Sequence, residues 1–314
     1  MESKRPPLPQ RTGNLFLTDA GLETSLIFYD GVELACFAAF PLLETEDGRD
    51  RLATYFRPFL RLARDQNVGF ILDTVTWRAN ADWGAQLGYD AAALDRINRQ
   101  AVDFALELAH DFAGPTNPVV VNGVVGPRGD AYQPESLMTV EEAERYHGVQ
   151  IATFSDTEAE MVTALTLTYI EEAIGIARAA RRHAIPLVLS FTVETDGRLP
   201  SGDTLQSAVE AVDRATDAAP AYYMINCAHP SHFADALGGE EIWRERVRGL
   251  RANASTKSHA ELDEATEIDA GDPVELAADY QALRTTLPRL NVLGGCCGTD
   301  YRHVQAIAAA WGKA

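Results

Sequence analysis

Eight short apolar runs alternate with amphipathic segments, and this alternation predicts an α/β protein folded as a single (β/α)8 TIM barrel. Two further observations support that class. No composition break or linker divides the 314 residues. No Gly-x-Gly-x-x-Gly follows the first apolar run, where Asp19-Ala20-Gly21-Leu22-Glu23 stands instead. Without those glycines the competing doubly wound dinucleotide sheet loses ground.

The runs that read as strands are 15–20, 69–74, 119–125, 161–167, 187–193, 222–227, 249–254 and 291–294. Most are apolar on both faces, as parallel strands covered on both sides must be. The seventh is the least regular, because Arg251 and Asn253 interrupt it. Helical periodicity covers 49–65, 91–111, 140–153, 170–183, 204–218, 232–236 (the weakest), 273–287 and 301–311. Start signals agree. Asp300 precedes the last helix, Asp272-Pro273 opens the one before it, and Thr139 with Glu142 forms a capping-box pattern. Ile185-Pro186 separates the fourth helix from the fifth strand. Residues 1–12 are polar and Pro-rich and read as a flexible tail, which leaves 13–314 as one barrel domain.

Composition excludes several function classes. A net charge of −19 repels a phosphate backbone, so nucleic acid is not an expected partner. No run reaches the ~18 apolar residues of a membrane helix, and the N-terminus carries no signal-peptide pattern. A cytoplasmic location follows as the expectation. Four cysteines, two of them adjacent, make a poor disulfide framework and in a reducing compartment point to metal or catalysis. Assembly into a homo-oligomer through the outer helices would leave no mark here.

Barrel chemistry sits at the C-terminal strand ends. Those ends carry Asp19, then Asp73-Thr74 with Trp77 following, Asn122-Gly123, Glu194, Asn226-Cys227, Asn253, and Gly294-Gly295-Cys296-Cys297-Gly298. Cys227, Cys296 and Cys297 therefore converge on one rim. Three thiolates with one open position make a catalytic zinc pattern, and the flanking glycines allow both neighbouring side chains to face one ion. The bland alternative, three small buried hydrophobes, is weakened by the clustering. Cys36 lies in the apolar run 36–40 and is assigned to packing.

Asn226-Cys227 and Gly294-Gly295-Cys296-Cys297-Gly298-Thr299, with His303, resemble the homocysteine S-methyltransferase family. Asp19-Ala20-Gly21-Leu22-Glu23-Thr24, Asp73-Thr74-Val75-Thr76-Trp77 and Gly126-Pro127 add to the likeness, as does Ser190-Phe191-Thr192 with Asp196-Gly197 and Ser201-Gly202. It spans most of the chain. The resemblance implies a barrel with Zn²⁺ on the three cysteines and an incoming thiol, homocysteine, in the fourth position. It further implies Asn253 near the metal, and Asp19 with adjacent backbone holding the amino acid. Gly21, Glu23, Thr74, Trp77 and Asn226 are the remaining substrate-binding candidates. The reaction would pass a methyl group from a sulfonium or betaine-type donor to the thiol, giving methionine. A free thiol is mostly protonated at neutral pH (pKa about 8.5), and zinc removes that proton. Trp77 either packs or faces the cationic donor.

The pattern breaks at the fourth strand, where Leu165 stands in place of the family's amino-group-binding Glu. Ala20 and Glu23 also replace glycines, and Ala252 replaces a proline. Either Glu23 takes over the ammonium contact, or the acceptor is a different thiol. A non-catalytic metal- or thiol-binding protein is the reading from another class. A Schiff-base lyase would need a buried lysine, and of Lys4, Lys257 and Lys313 only Lys257 lies near a strand end.

Overall fold

The computed structural model describes residues 5–132, 137–238 and 242–312. Eight parallel strands pair in chain order, and the eighth closes on the first. They are β1 (Phe16–Leu17), β2 (Gly69–Asp73), β3 (Val119–Val125), β4 (Met161–Leu167), β5 (Leu187–Phe191), β6 (Tyr222–Asn226), β7 (Val247–Ala252) and β8 (Val292–Gly295). This is the closed (β/α)8 barrel that the alternation predicts. β1 is shorter than its apolar run because residues 18–20 bond to one side only: Thr18 N donates to Leu293 O at 2.8 Å, and Gly295 N to Asp19 O at 2.9 Å. β7 begins two residues before its expected start, with a register irregularity opposite Tyr223 and Met224.

The helices are α1 (Leu22–Phe28), α2 (Glu46–Asp65), α3 (Ala81–Gln86), α4 (Ala91–His110), α5 (Val140–Ser155) and α6 (Ile170–Arg182). They continue with α7 (Leu205–Thr216), α8 (Pro230–Phe233), α9 (His259–Asp263), α10 (Pro273–Leu283) and α11 (Tyr301–Trp311). The short α1, α3 and α9 are additions to the sequence reading and lie in the loops that follow β1, β2 and β7. The weak segment at 232–236 becomes α8 and a 3-10 turn, Ala234–Leu237. The expected caps form: Thr139 and Glu142 close a capping box, and Asp272 accepts from the Val274 and Glu275 amides. No described helix is long and apolar enough to cross a membrane.

Period-2 alternation sorts the barrel interior into layers. At the floor, Phe16, Ile71, Val120, Met161, Val188, Tyr222, Met224 and Val292 pack together. Two residues further up, β2 offers Asp73, β3 Asn122 and β4 Thr163, and they bond in sequence. Asn122 Nδ2 donates to Asp73 Oδ1 at 2.6 Å, and Thr163 Oγ1 to Asn122 Oδ1 at 3.0 Å. Above this belt the interior opens into a cavity at the C-terminal rim.

The tail expected over 1–12 is docked across its described part. Leu8 joins the floor cluster and Gln10 is fully buried, its Nε2 3.2 Å from Tyr222 Oη. Arg5 Nε donates to Ala159 O at 2.7 Å, and Asn291 Nδ2 to Gln10 O at 2.8 Å. The barrel floor needs an apolar cover, and the nearest chain supplies it. Residues 1–4 lie outside the described residues.

Candidate active site

The sulfurs of Cys227, Cys296 and Cys297 lie within 4.8 Å of one another at the rim. Each is positioned by backbone geometry. Cys227 follows β6 with φ +56°, a conformation that L side chains rarely adopt. Its amide donates to Arg251 O at 3.0 Å, and its carbonyl accepts from Asn253 Nδ2 at 3.0 Å and His259 Nε2 at 2.6 Å. Cys296 and Cys297 follow β8. The Cys296 amide donates to Ala252 O at 2.8 Å, the Cys297 carbonyl accepts from Ala254 N at 3.1 Å, and Thr299 Oγ1 donates to Cys296 O at 2.7 Å. Gly298, at φ +77°, turns the chain away from the pair. A Cβ on Gly21 would fall 2.6 Å from Cys296 O, so only glycine lets the β1 loop lie against the cysteines.

Cys227 and Cys296 are joined as a disulfide, and Cys297 is free. The three-thiolate set is available when that bond is reduced. Thiolates held at ~2.3 Å around one tetrahedral ion sit about 3.8 Å apart, so Cys227 and Cys296 must part on reduction while all three stay within the observed spread. Asn253 Oδ1 is buried without a hydrogen-bond partner, an orphaned donor atom beside the cluster. Three soft sulfurs and one unsatisfied oxygen fit a zinc ion by ligand chemistry.

The cavity at these sulfurs, about 90 Å³, brings together most of the candidates: Asp19, Gly21, Glu23, Thr74, Trp77 and Asn226, with Leu165 in the same wall. Asn253 does not line it, and its Nδ2 bonds the backbone carbonyl of Cys227. Several of these side chains are already engaged. Asn226 Oδ1 accepts from Thr166 N and Ser190 Oγ at 2.9 and 2.6 Å, and its Nδ2 donates to Thr166 Oγ1, so it braces β4, β5 and β6. The Thr74 hydroxyl lies 2.6 Å from Thr76 Oγ1 and accepts from Val124 N. One face of Trp77 is covered by Arg78, whose guanidinium carbon stands 4.3 Å from the Trp77 ring centroid and 3.9 Å from that of Trp83. One cation–π partner of Trp77 is therefore within the protein, while its side chain still lines the cavity.

Asp19, which lines the cavity, is also bonded within the protein. Its Oδ1 accepts from Arg251 Nη2 at 2.6 Å, and its Oδ2 from Tyr55 Oη at 3.1 Å. Arg251 also pairs with Asp73 and donates to Gly295 O at 3.0 Å. Burial opposes the Arg251 charge, and the two carboxylates more than restore it. Burial raises the Asp19 carboxyl to about 6 against the pull of Arg251. Glu23 differs: among the described residues no other side chain bonds to its carboxylate, which burial raises to about 7. Burial, with the nearby Glu23 carboxylate, pushes the Cys297 thiol up to about 11.

Arg251, Tyr55, Tyr132 and His259 escaped the sequence reading. The only signal for Arg251 was its intrusion into an apolar run. Tyr132 stacks on His259 at 4.0 Å, and its hydroxyl lies 4.0 Å from Cys297 Sγ. Cys36, assigned to packing, is instead partly exposed in a 3-10 turn with φ +55°. Lys257 pairs with Asp269 at 3.4 Å and is half exposed, away from the cavity, which removes the Schiff-base reading for it. Lys4 and Lys313 lie outside the described residues.

A sequence profile of the homocysteine S-methyltransferase family matches residues 16–311, and so takes in the cysteine cluster and the whole barrel. The chain belongs to the homocysteine S-methyltransferase family. It is a methyltransferase, and its rim cavity is the candidate active site of that family's barrel. The Escherichia coli homocysteine methyltransferase MmuM is similar in fold. Its metallated form gives a TM-score of 0.73 at 18% identity, covering 94% of this chain and 96% of that one. The oxidised form gives 0.71 at 19% identity over 95% and 96%, and the apo form 0.63 at 18% over 95% and 96%.

Proposed function

We propose that this family member is a zinc-dependent S-methyltransferase that moves a methyl group from a sulfonium or betaine-type donor to a thiol, homocysteine, giving methionine. The observation that carries the reading is the convergence of three cysteine sulfurs, within 4.8 Å, on the cavity at the barrel rim. Cys227, Cys296 and Cys297 would hold the ion, with Asn253 beside them. When bound, zinc supplies the positive charge that keeps an incoming thiol deprotonated at neutral pH. The rest falls to the chain. The cavity wall, largely apolar through Leu22, Phe37, Phe56, Val75, Val124 and Leu165, excludes water from the thiolate and from the cationic donor. The buried Asp19–Arg251–Asp73 belt fixes the floor of the cavity, so acceptor and donor meet in one alignment, a contribution worth several kcal/mol by effective molarity. Both partners are small molecules, and the need for reduced thiols makes the cytoplasm the proposed compartment. Leu165 favours a second reading, in which the acceptor is a thiol lacking an α-amino group.

The test is zinc content with methyl transfer in the same reduced samples, wild type against Cys297→Ala. About one zinc per chain in the wild type, lost together with activity in the variant, supports the reading. A wild type without zinc after reductive loading sinks it.

A further inference from the structure

The cavity wall holds three carboxylates, Asp19, Glu23 and Asp73. Two are spoken for: Asp19 by Arg251 and Tyr55, Asp73 by Arg251 and Asn122. Each shares a buried guanidinium whose positive charge cancels much of their field. Glu23 stands apart in the first turn of α1, where no other described side chain bonds to it. The loop that carries it is stitched to the cysteine loop, since Gly298 N donates to Thr24 Oγ1 and Gly21 N to Thr299 O, each at 3.3 Å. An unpaired carboxylate inside a largely apolar cavity is costly unless a proton or a cation joins it, and an ammonium supplies the cation without giving up the charge. The opposite wall at β4 presents Leu165, which offers no charge.

We propose that Glu23 is the specificity-determining carboxylate that pairs with the α-ammonium of the acceptor thiol, from the β1 side of the cavity. The inference rests on the thiol-acceptor reading above. A thiol whose sulfur lies at the cysteine cluster extends its chain into the cavity that Glu23 lines, where an ammonium meets the one lining carboxylate that no described arginine bonds, Arg78 and Arg251 acting on it only through space. An acceptor lacking that ammonium leaves Glu23 unpaired and binds less tightly.

The experiment is a calorimetric titration of reduced, zinc-loaded protein with homocysteine and with its deamino analogue, 4-mercaptobutanoate, in wild type and Glu23→Gln. The wild type should prefer homocysteine by about 10- to 100-fold, the scale of a charge-assisted hydrogen bond in a buried site. In Glu23→Gln the preference should fall to within about threefold, while the analogue binds as before and so reports an intact fold. A preference that survives in the variant, or an equal loss for both thiols, overturns the assignment. A wild type that takes up zinc yet binds neither thiol instead removes the acceptor reading, and the assignment falls with it.

Discussion

Arg251 shows how one side chain can organise a site that it does not chemically serve. Buried beneath the cavity, it holds two carboxylates that would otherwise repel each other. Replacing it by methionine would leave both uncompensated, and the folded state should lose about 3–5 kcal/mol, the cost of breaking a buried pair from one side. Chemical denaturation of Arg251→Met measures this, and a value within about 1 kcal/mol of wild type would refute the account. Adding Asp19→Asn and Asp73→Asn should return part of the loss. None of this was legible in the sequence, because the partners lie 232 and 178 residues away and a lone arginine in an apolar run reads as an interruption. The cysteines were legible for the opposite reason. Their type is rare in this chain, two are neighbours, and glycines flank them, so placement at strand ends sufficed.

The elements around the cysteines are short and held by caps. Asp300 opens α11, directly after the cysteine loop, and accepts from the Arg302 amide at 2.9 Å. Burial would raise its carboxyl, but bonds from His303 and Arg302 outweigh burial and hold it well below the ordinary carboxylate range. A carboxyl depressed on folding contributes stability that is fully present above its unfolded value of 3.8 and is lost as pH falls below that. Asp300→Ala should therefore cost about 1–2 kcal/mol at pH 7 and much less near pH 2. Denaturant midpoints at the two pH values decide, and an equal deficit at both would rule out the ionised cap as the cause. The long helices were readable from period and cap, whereas α1, α3 and α9 were not. Each is a turn or two packed over the rim, set by the loops it closes rather than by its own amphipathic pattern. The strand ends were overrun for a related reason: residues such as 18–20 stay buried and bonded to β8 after the ladder has lost its other side.

On the scale of the whole molecule, the barrel has a sealed end and a working end. Arg5, Leu8 and Gln10 cover the floor, while the cysteines face the opposite rim. Deleting residues 1–12 should expose the floor cluster and lower stability by about 2–4 kcal/mol, roughly 3–6 °C in Tm. Under the zinc reading proposed above, metal uptake at the far rim should persist. Calorimetry with metal analysis checks both, and an unchanged melt would show the cover to be dispensable. The composition of that segment pointed to a tail because its anchors are one arginine reaching backbone carbonyls, one buried glutamine and a single leucine, too little to make a periodic hydrophobic signature. Closure itself has a further consequence. β1 pairs with β8, and the three clustered sulfurs are divided between the end of β6 and the loop after β8. A chain made in order from its first residue completes neither the barrel nor its ligand set until the last strand arrives. Pairing of such high sequence separation is slow, and two unpaired strand edges stay open to misassociation until it happens. A metal that binds only the finished ligand set would then act as a latch on the last seam, and the rate at which refolding chains capture it would time barrel closure.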